Sequence, residues 1–310
     1  MSKVLAVLTS DWHLTLETPV AKAEQDWLAV QKRYLDQVKA IAEEHSCPIV
    51  VAGDYFNAWN PGPELLNWCL KNVPNTYAVW GQHDLRHHNA ADVDKTGFWN
   101  LVLNGKITPI LPGQSMNFGR LVLHGFPWGE KIVPHGMERK GKIHLAVCHR
   151  YVWDRTHTFP GASDDNYVST VADELIRGGY DAAVIGDNHN GFHHRQEIAF
   201  PYSAMDILIS GTFIRRKRDE RECTPCVGLL DSDGSIRRRF LETVEDKWVD
   251  LEGKVESLLS EGDVGSLVEE LKNLGDGGLN FLDALRHALS SLKVPASVRE
   301  IVLKCAEGKK

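Results

Sequence analysis

Three short apolar runs, VLAVL (4–8), PIVVAG (48–53) and TYAVW (76–80), each stop at a cluster of polar residues, and helical segments separate them. Between the first two runs, Trp27, Val30, Tyr34, Val38 and Ile41 recur at helical spacing, as the stripe of a helix that faces a core does. Between the second and third, PELLNWCLKN (63–72) carries proline in its first turn, where a missing N–H leaves no bond unmade. A β-α-β-α-β order of this kind calls for a sheet with helices on its faces. Further strands are expected near 121–124, 143–148, 182–185 and 207–210, with a helix over 168–177. CVGLLDSDGSIRRRF (226–240) reads as a hairpin whose Asp233-Gly234 turn tolerates positive φ.

The polar clusters at the strand ends narrow the function. SDWH places Asp11 and His13 past the first strand, GDYFN places Asp54 past the second, and GQHD places Gln82 and His83 past the third. CHR then supplies His149, and IGDNHNG supplies Asp187 and His189. Taken singly, each is an ordinary turn. Five successive strand ends that all bring carboxylates, imidazoles or an amide are different, because the carboxyl ends of strands form the ligand crevice of an open α/β sheet. In D-x-H the two side chains share one side of an extended segment, and Asp54 can bridge two cations. Mixed oxygen and nitrogen donors suit manganese, iron or zinc. Two such ions roughly 3.5–4 Å apart activate water and clamp both oxygens of a phosphoryl displacement.

With 310 residues and 43% hydrophobic content, the chain can build a large domain and an appendage. Its character changes after Trp248, where helical segments are interrupted by glycine-rich stretches such as LGDGGLN (274–280), so domains are expected over 1–245 and 246–310. Leu258, Leu259, Leu267, Leu271, Leu282, Leu285 and Leu289 give the second an amphipathic face, to cap the first, dock a partner or stabilise itself. A net charge of −7 argues against coating nucleic acid by bulk electrostatics and leaves room for a local basic patch. RRKRDER (215–221) is either that patch or a solvated face, and RRR (237–239) is a weaker candidate. MSKVLAVLTSDWHL fits neither a signal peptide nor a membrane span, so the cytoplasm is the expected location. Six cysteines without a dense framework suit a reducing compartment, and Cys223-Thr-Pro-Cys226 reads as a strand entrance rather than a zinc site.

In order and spacing over roughly 4–212, the series D-x-H, GD, GQHD, H and GDNH resembles the D-x-H, GD, GNHD, H and GHxH of calcineurin-like metallophosphoesterases. More narrowly, TSDWHL, GDYFNAWNPGPELL, GQHD and ISGTFIRR resemble the SbcD-type nuclease subunit of double-strand-break processing complexes, in a short phage-like form. The resemblance implies an α/β fold, a β-sandwich of two packed mixed sheets flanked by helices, with a small, mainly helical C-terminal domain. It implies one metal on Asp11, His13, Asp54 and His189, and a second on Asp54, Gln82, His149 and Asp187. His83 is then the proton donor to the leaving oxygen and Asp84 orients its ring, while Asn57, Arg150 and Arg215 are candidate substrate contacts. The implied cofactors are two divalent ions, manganese foremost, with magnesium, iron or zinc as alternatives. The implied partners are DNA, an SbcC-type coiled-coil ATPase and a second copy of the chain, with no membrane. The activity that follows is metal-dependent DNA hydrolysis; a small-molecule phosphodiesterase or phosphatase and a catalytically inactive scaffold are the alternatives.

Two positions depart from the family pattern. Gln82 stands in place of asparagine and Asp187 in place of the first histidine of GHxH. Asp11, Asp54 and Asp187 bring −3 against +4 from two divalent ions, which leaves +1 where the pattern leaves +2. The bound water becomes less acidic, and the added hard oxygen favours manganese or magnesium over zinc.

Overall fold

Parallel strands joined through helices form the first half of the fold, as the alternation of apolar runs predicts. A computed structural model describes residues 2–137, 140–156, 162–197 and 204–249. The order is β1 (Val4–Thr9), α1 (Trp27–His45), β2 (Ile49–Ala52), α2 (Pro63–Asn72), β3 (Thr76–Val79), α3 (Gly97–Leu103) and β4 (Ile107–Pro109). Then come β5 (Ser115–Phe118), β6 (Leu121–Phe126), β7 (Ile143–His149), α4 (Val168–Gly178), β8 (Ala182–Gly186), β9 (Phe192–Glu197), β10 (Ala204–Ile209), β11 (Cys226–Asp231) and β12 (Ile236–Phe240). The domain expected over 246–310 lies, from residue 250 onward, outside the described residues.

The strands form two six-stranded mixed sheets, ordered β12-β11-β1-β2-β3-β4 and β5-β6-β7-β8-β10-β9. In the first, β1 to β4 are parallel and the β11–β12 hairpin adds antiparallel to β1. In the second, β6, β7, β8 and β10 are parallel, with β5 and β9 antiparallel at the edges.

Side-chain alternation divides the core. Ala6, Leu8, Val50, Ala52 and Val79 meet Leu123, Leu145, Val147, Val184 and Leu208 between the sheets. Val7 and Val51 face the other way, onto Trp27, Val30, Tyr34 and Val38 of α1. Helix α4 covers the second sheet through Val168, Val171, Ala172 and Leu175. Each fully buried valine or leucine contributes about 1.5–3 kcal/mol relative to exposure, so both helix layers and the central seam are substantial.

Local chemistry sets the helix limits. Asp26 caps α1 by accepting from the Ala29 N–H at 2.9 Å, and Thr96 caps α3. Helix α4 stops at Gly179, whose φ of 91° takes the left-handed conformation that closes a helix. Among the described residues, no helix is long and apolar enough to cross a membrane. Cys226 opens β11 and is buried, and half-buried Cys223 precedes it.

Candidate metal centre

The candidate ligands come from both sheets, three groups in the turns after β1, β2 and β3, one at the end of β7 and one after β8. The first two are laced together by their backbones: Asp11 N–H donates to Gly53 O, His13 N–H to Asp54 O and Leu14 N–H to Tyr55 O, each at 3.0 Å. Trp12 is buried against Tyr55 and Phe213, with ring centroids 4.6 and 5.3 Å away, which anchors the D-x-H turn between its two polar residues. Four of the candidate ligands adopt positive φ: Asp11 (53°), His13 (45°), Asp54 (51°) and Asp187 (89°). Such a backbone costs on the order of 1–3 kcal/mol per non-glycine residue and persists only where the surroundings over-determine it.

One half of the centre gathers around His13. Its Nε2 lies 3.0 Å from His189 Nε2, 3.8 Å from Asp11 Oδ1 and 3.6 Å from Asp54 Oδ2. In the other half, His149 donates Nδ1–H to Ala52 O at 2.7 Å, which turns its Nε2 to 2.7 Å from Gln82 Oε1 and 3.5 Å from Asp54 Oδ2. The Gln82 amide then donates Nε2–H to Asp187 Oδ1 at 2.7 Å, and the Asp187 N–H donates to Asp11 Oδ1 at 3.1 Å. Small residues leave the room this needs. A side chain at Gly53, whose φ is +91°, would collide with the His149 ring, and one at Gly81 with the Asp54 carboxylate.

Asp54 stands between the halves. Its Oδ1 accepts from His83 N–H at 3.0 Å, while Oδ2 is buried and has no hydrogen-bond partner among the described residues. A buried carboxylate oxygen without a donor is expensive, and here it faces imidazoles from both halves. Ligand atoms of Asp11, His13 and His189, of His13, Asp54 and His83, and of Asp11, Asp54 and His149 each lie within 4.8 Å of one another. The donor set therefore fits divalent cations, with Asp54 placed to be shared.

The electrostatics of these residues agree. Burial pushes the Asp11 carboxyl up to about 6, against the pull of His149 and His189. Burial also works to raise Asp54, but the charge of His149, with that of His83 and the bond from the His83 N–H, outweighs it and holds Asp54 at about 2. His149 rises to about 10 because Asp54, Asp187 and Asp11 overcome its own desolvation. His13 falls well below the usual histidine range through burial, with Arg216 adding to the effect. Buried acids that keep a proton on an imidazole offer a cation the same attraction, and metal binding there releases that proton.

The surroundings revise several assignments expected from the sequence. The contact that orients the His83 ring comes from Asn57, whose backbone carbonyl accepts from His83 Nδ1–H at 3.1 Å. Asp84, expected in that role, is fully buried and accepts the N–H groups of Gly81, Tyr55 and Phe56 at 2.9–3.1 Å, tying the second and third turns together. The guanidinium of Arg150 is engaged by Asn166, Glu174 and the Asp165 carbonyl. That of Arg215 is engaged by Asp246 and by the carbonyls of Arg221 and Thr243. The guanidinium that bonds Asn57 is that of Arg216, whose Nη1 donates to Asn57 Oδ1 at 2.5 Å. Sequence reasoning missed Arg216 and also Glu220, whose carboxylate accepts from His189 Nδ1–H at 2.9 Å. Both lie in RRKRDER, where pattern alone does not separate buried from solvated charge.

A search of curated proteins finds no match for the chain. Among solved structures it is similar to TT1561 of Thermus thermophilus, at 11% identity and a TM-score of 0.41, over 78% of this chain and 100% of that one. It is also similar to a metallophosphoesterase from Sphaerobacter thermophilus, at 11% identity and a TM-score of 0.38, over 97% of this chain and 99% of that one. The family model of the calcineurin-like phosphoesterases matches residues 5–191, a span that contains all the candidate ligands. The chain therefore belongs to the calcineurin-like phosphoesterases, hydrolases of phosphate esters that work with divalent metal ions.

Proposed function

We propose that the protein is a DNA phosphodiesterase with manganese as its working metal, the nuclease subunit of a repair or recombination complex. The observation that carries the hydrolytic reading is the convergence of His13 and His149 on the orphaned Oδ2 of Asp54. Asp11, His13, Asp54 and His189 would hold one cation, and Asp54, Gln82, His149 and Asp187 the other. When bound, the two cations supply a water nucleophile active at neutral pH and stabilise the charge that develops on phosphate oxygens. Four oxygen-bearing side chains among seven donors favour manganese over zinc.

The chain's own residues do the rest. His83, held through Nδ1 by the Asn57 carbonyl, presents its other nitrogen as the acid that protonates the leaving oxygen. Arg216 neutralises phosphate charge beside Asn57. The loop after GQHD adds a cationic and aromatic rim: the Arg86 guanidinium lies 5.4 Å from the Trp59 ring, and the His88 ring 5.5 Å from that of Trp128. Planar and basic groups side by side suit a strand of nucleic acid better than a compact phosphomonoester. This rim supports the nuclease reading, and the SbcD-like flanks of the motifs are the ground for proposing an SbcC-type ATPase as partner.

The test is incubation of the purified protein with manganese and either linear duplex DNA or bis(p-nitrophenyl) phosphate, beside a His83→Ala control. DNA cleavage that depends on His83 is expected. Turnover of the small diester alone would move the assignment to a small-molecule phosphodiesterase. Loss of neither substrate, in protein that binds metal, would leave an inactive scaffold.

A further inference from the structure

One acidic residue of the RRKRDER run is buried. Glu220 is 1% exposed, while its neighbours Arg218 and Asp219 face solvent. It ends a short 3₁₀ turn, Arg218–Glu220, that folds the segment back on itself. Its Oε2 accepts the N–H groups of Arg216 at 2.5 Å and Lys217 at 2.9 Å. Its Oε1 takes a third donor from elsewhere in the fold, Nδ1–H of His189 at 2.9 Å.

We propose that Glu220 is a positioning residue for the metal centre, fixing His189 in the tautomer that directs its Nε2 lone pair at His13 and Asp11. The inference rests on the metal reading of that half of the site. A neutral imidazole carries one proton on either nitrogen, and the hydrogen bond made by one nitrogen decides the chemistry of the other. A carboxylate that accepts from Nδ1–H leaves Nε2 deprotonated, holds the ring plane and raises the ring's strength as a ligand. His189 Nε2 lies 3.0 Å from His13 Nε2 and 3.8 Å from Asp11 Oδ1, where a cation shared with those residues would sit. Taking a carboxylate out of water is costly unless its lone pairs are satisfied. A turn cap needs only the two backbone bonds; the third bond, to a residue 31 positions away, is what links the segment to the centre.

Titration of the chelator-stripped full-length protein with manganese by calorimetry tests the assignment. Wild type is expected to bind two ions, with Glu220→Ala weakening one of them by ten- to a hundredfold. Glu220→Gln, which keeps the shape and an acceptor oxygen but not the charge, is expected to fall between the two, and it carries the test should the alanine variant not fold. In a His189→Ala background the Glu220→Gln change should cost no further affinity, because positioning acts only through His189; a merely structural role would still lower affinity there. Two sites of unchanged affinity in Glu220→Gln, or a further loss in the double variant, overturn the proposal. Wild type that binds no manganese overturns the metal reading instead, a separate outcome.

Discussion

Gln82 donates its amide to Asp187 at 2.7 Å, so the two residues that depart from the family pattern are bonded to each other. The same amide presents its oxygen to His149 Nε2 at 2.7 Å. The longer glutamine thus reaches across to a carboxylate that the usual histidine would not offer. A double-mutant cycle of Gln82→Ala and Asp187→Ala, read by urea unfolding in chelator, should show a coupling of about 0.5 kcal/mol or more. With manganese, either single variant should retain one ion instead of two. Strict additivity would mean that the bond between the two side chains contributes no net coupling to stability.

His83 and Asp84 are neighbours with opposite mutational signatures. His83 is half-buried and its side chain bonds one carbonyl, whereas the Asp84 carboxylate is the acceptor for three buried N–H groups. His83→Ala should lower kcat by roughly 10²–10⁴-fold while stability and metal content stay near wild type. Asp84→Ala leaves three buried donors unpaired and should destabilise the fold by roughly 3 kcal/mol or more, with activity falling as a consequence. Chemical denaturation beside steady-state kinetics on the same preparations separates the two. A stable, inactive Asp84→Ala protein would return Asp84 to a direct role in catalysis.

The strands and the polar turns that end them are legible because their signals are local. Trp27, Val30, Tyr34, Val38 and Ile41 are all buried on α1 as their spacing predicts, and Asp233-Gly234 does turn the β11–β12 hairpin, with Gly234 at φ 90°. Strand β9 is not legible in the sequence, because FHHRQE is polar at a sheet edge and shows no apolar alternation. Helix α3 is not legible either, because seven residues are too few to show a period. The supporting contacts were not legible for a different reason. Arg215 and Arg216 are adjacent and chemically alike, yet one bonds Asp246 and the other Asn57. Which way each points is decided by long-range packing, and spacing carries no record of that.

Asp54 provides the sharpest test of the centre as a whole. If its orphaned Oδ2 is completed by cations, manganese should stabilise the folded protein, by about 2.7 kcal/mol at a hundredfold excess over Kd. Chelation should remove both that increment and phosphoester hydrolysis, and added manganese should restore them. Asp54→Asn, which puts an amide in place of a shared carboxylate, should abolish the manganese-dependent rise in unfolding free energy. A variant that still gains the full increment would show that the ions bind without Asp54 between them.

A separate histidine group should govern acid stability. His124, His135 and His144 have ligand atoms within 4.8 Å of one another, but His135 and His144 stack at 4° and 4.1 Å, so their in-plane lone pairs run parallel and do not converge on one ion. Both His135 nitrogens are also engaged, by the Gly179 carbonyl and the Met137 N–H. Burial, with His135 and His144 adding to it, lowers His124 to about 4 from an ordinary 6.5. The unfolded chain therefore takes up this proton first as pH falls: the stabilisation is complete above pH 6.5 and is lost between 6.5 and 4. Allowing for solvent screening in a pocket only partly closed, the group accounts for about 1–2 kcal/mol of that decline. His124→Asn should flatten the fall in unfolding free energy across this window when both proteins are measured in chelator, which removes the contribution of bound metal. Parallel curves for wild type and variant would show that His124 is protonated in the folded state as readily as in the unfolded one.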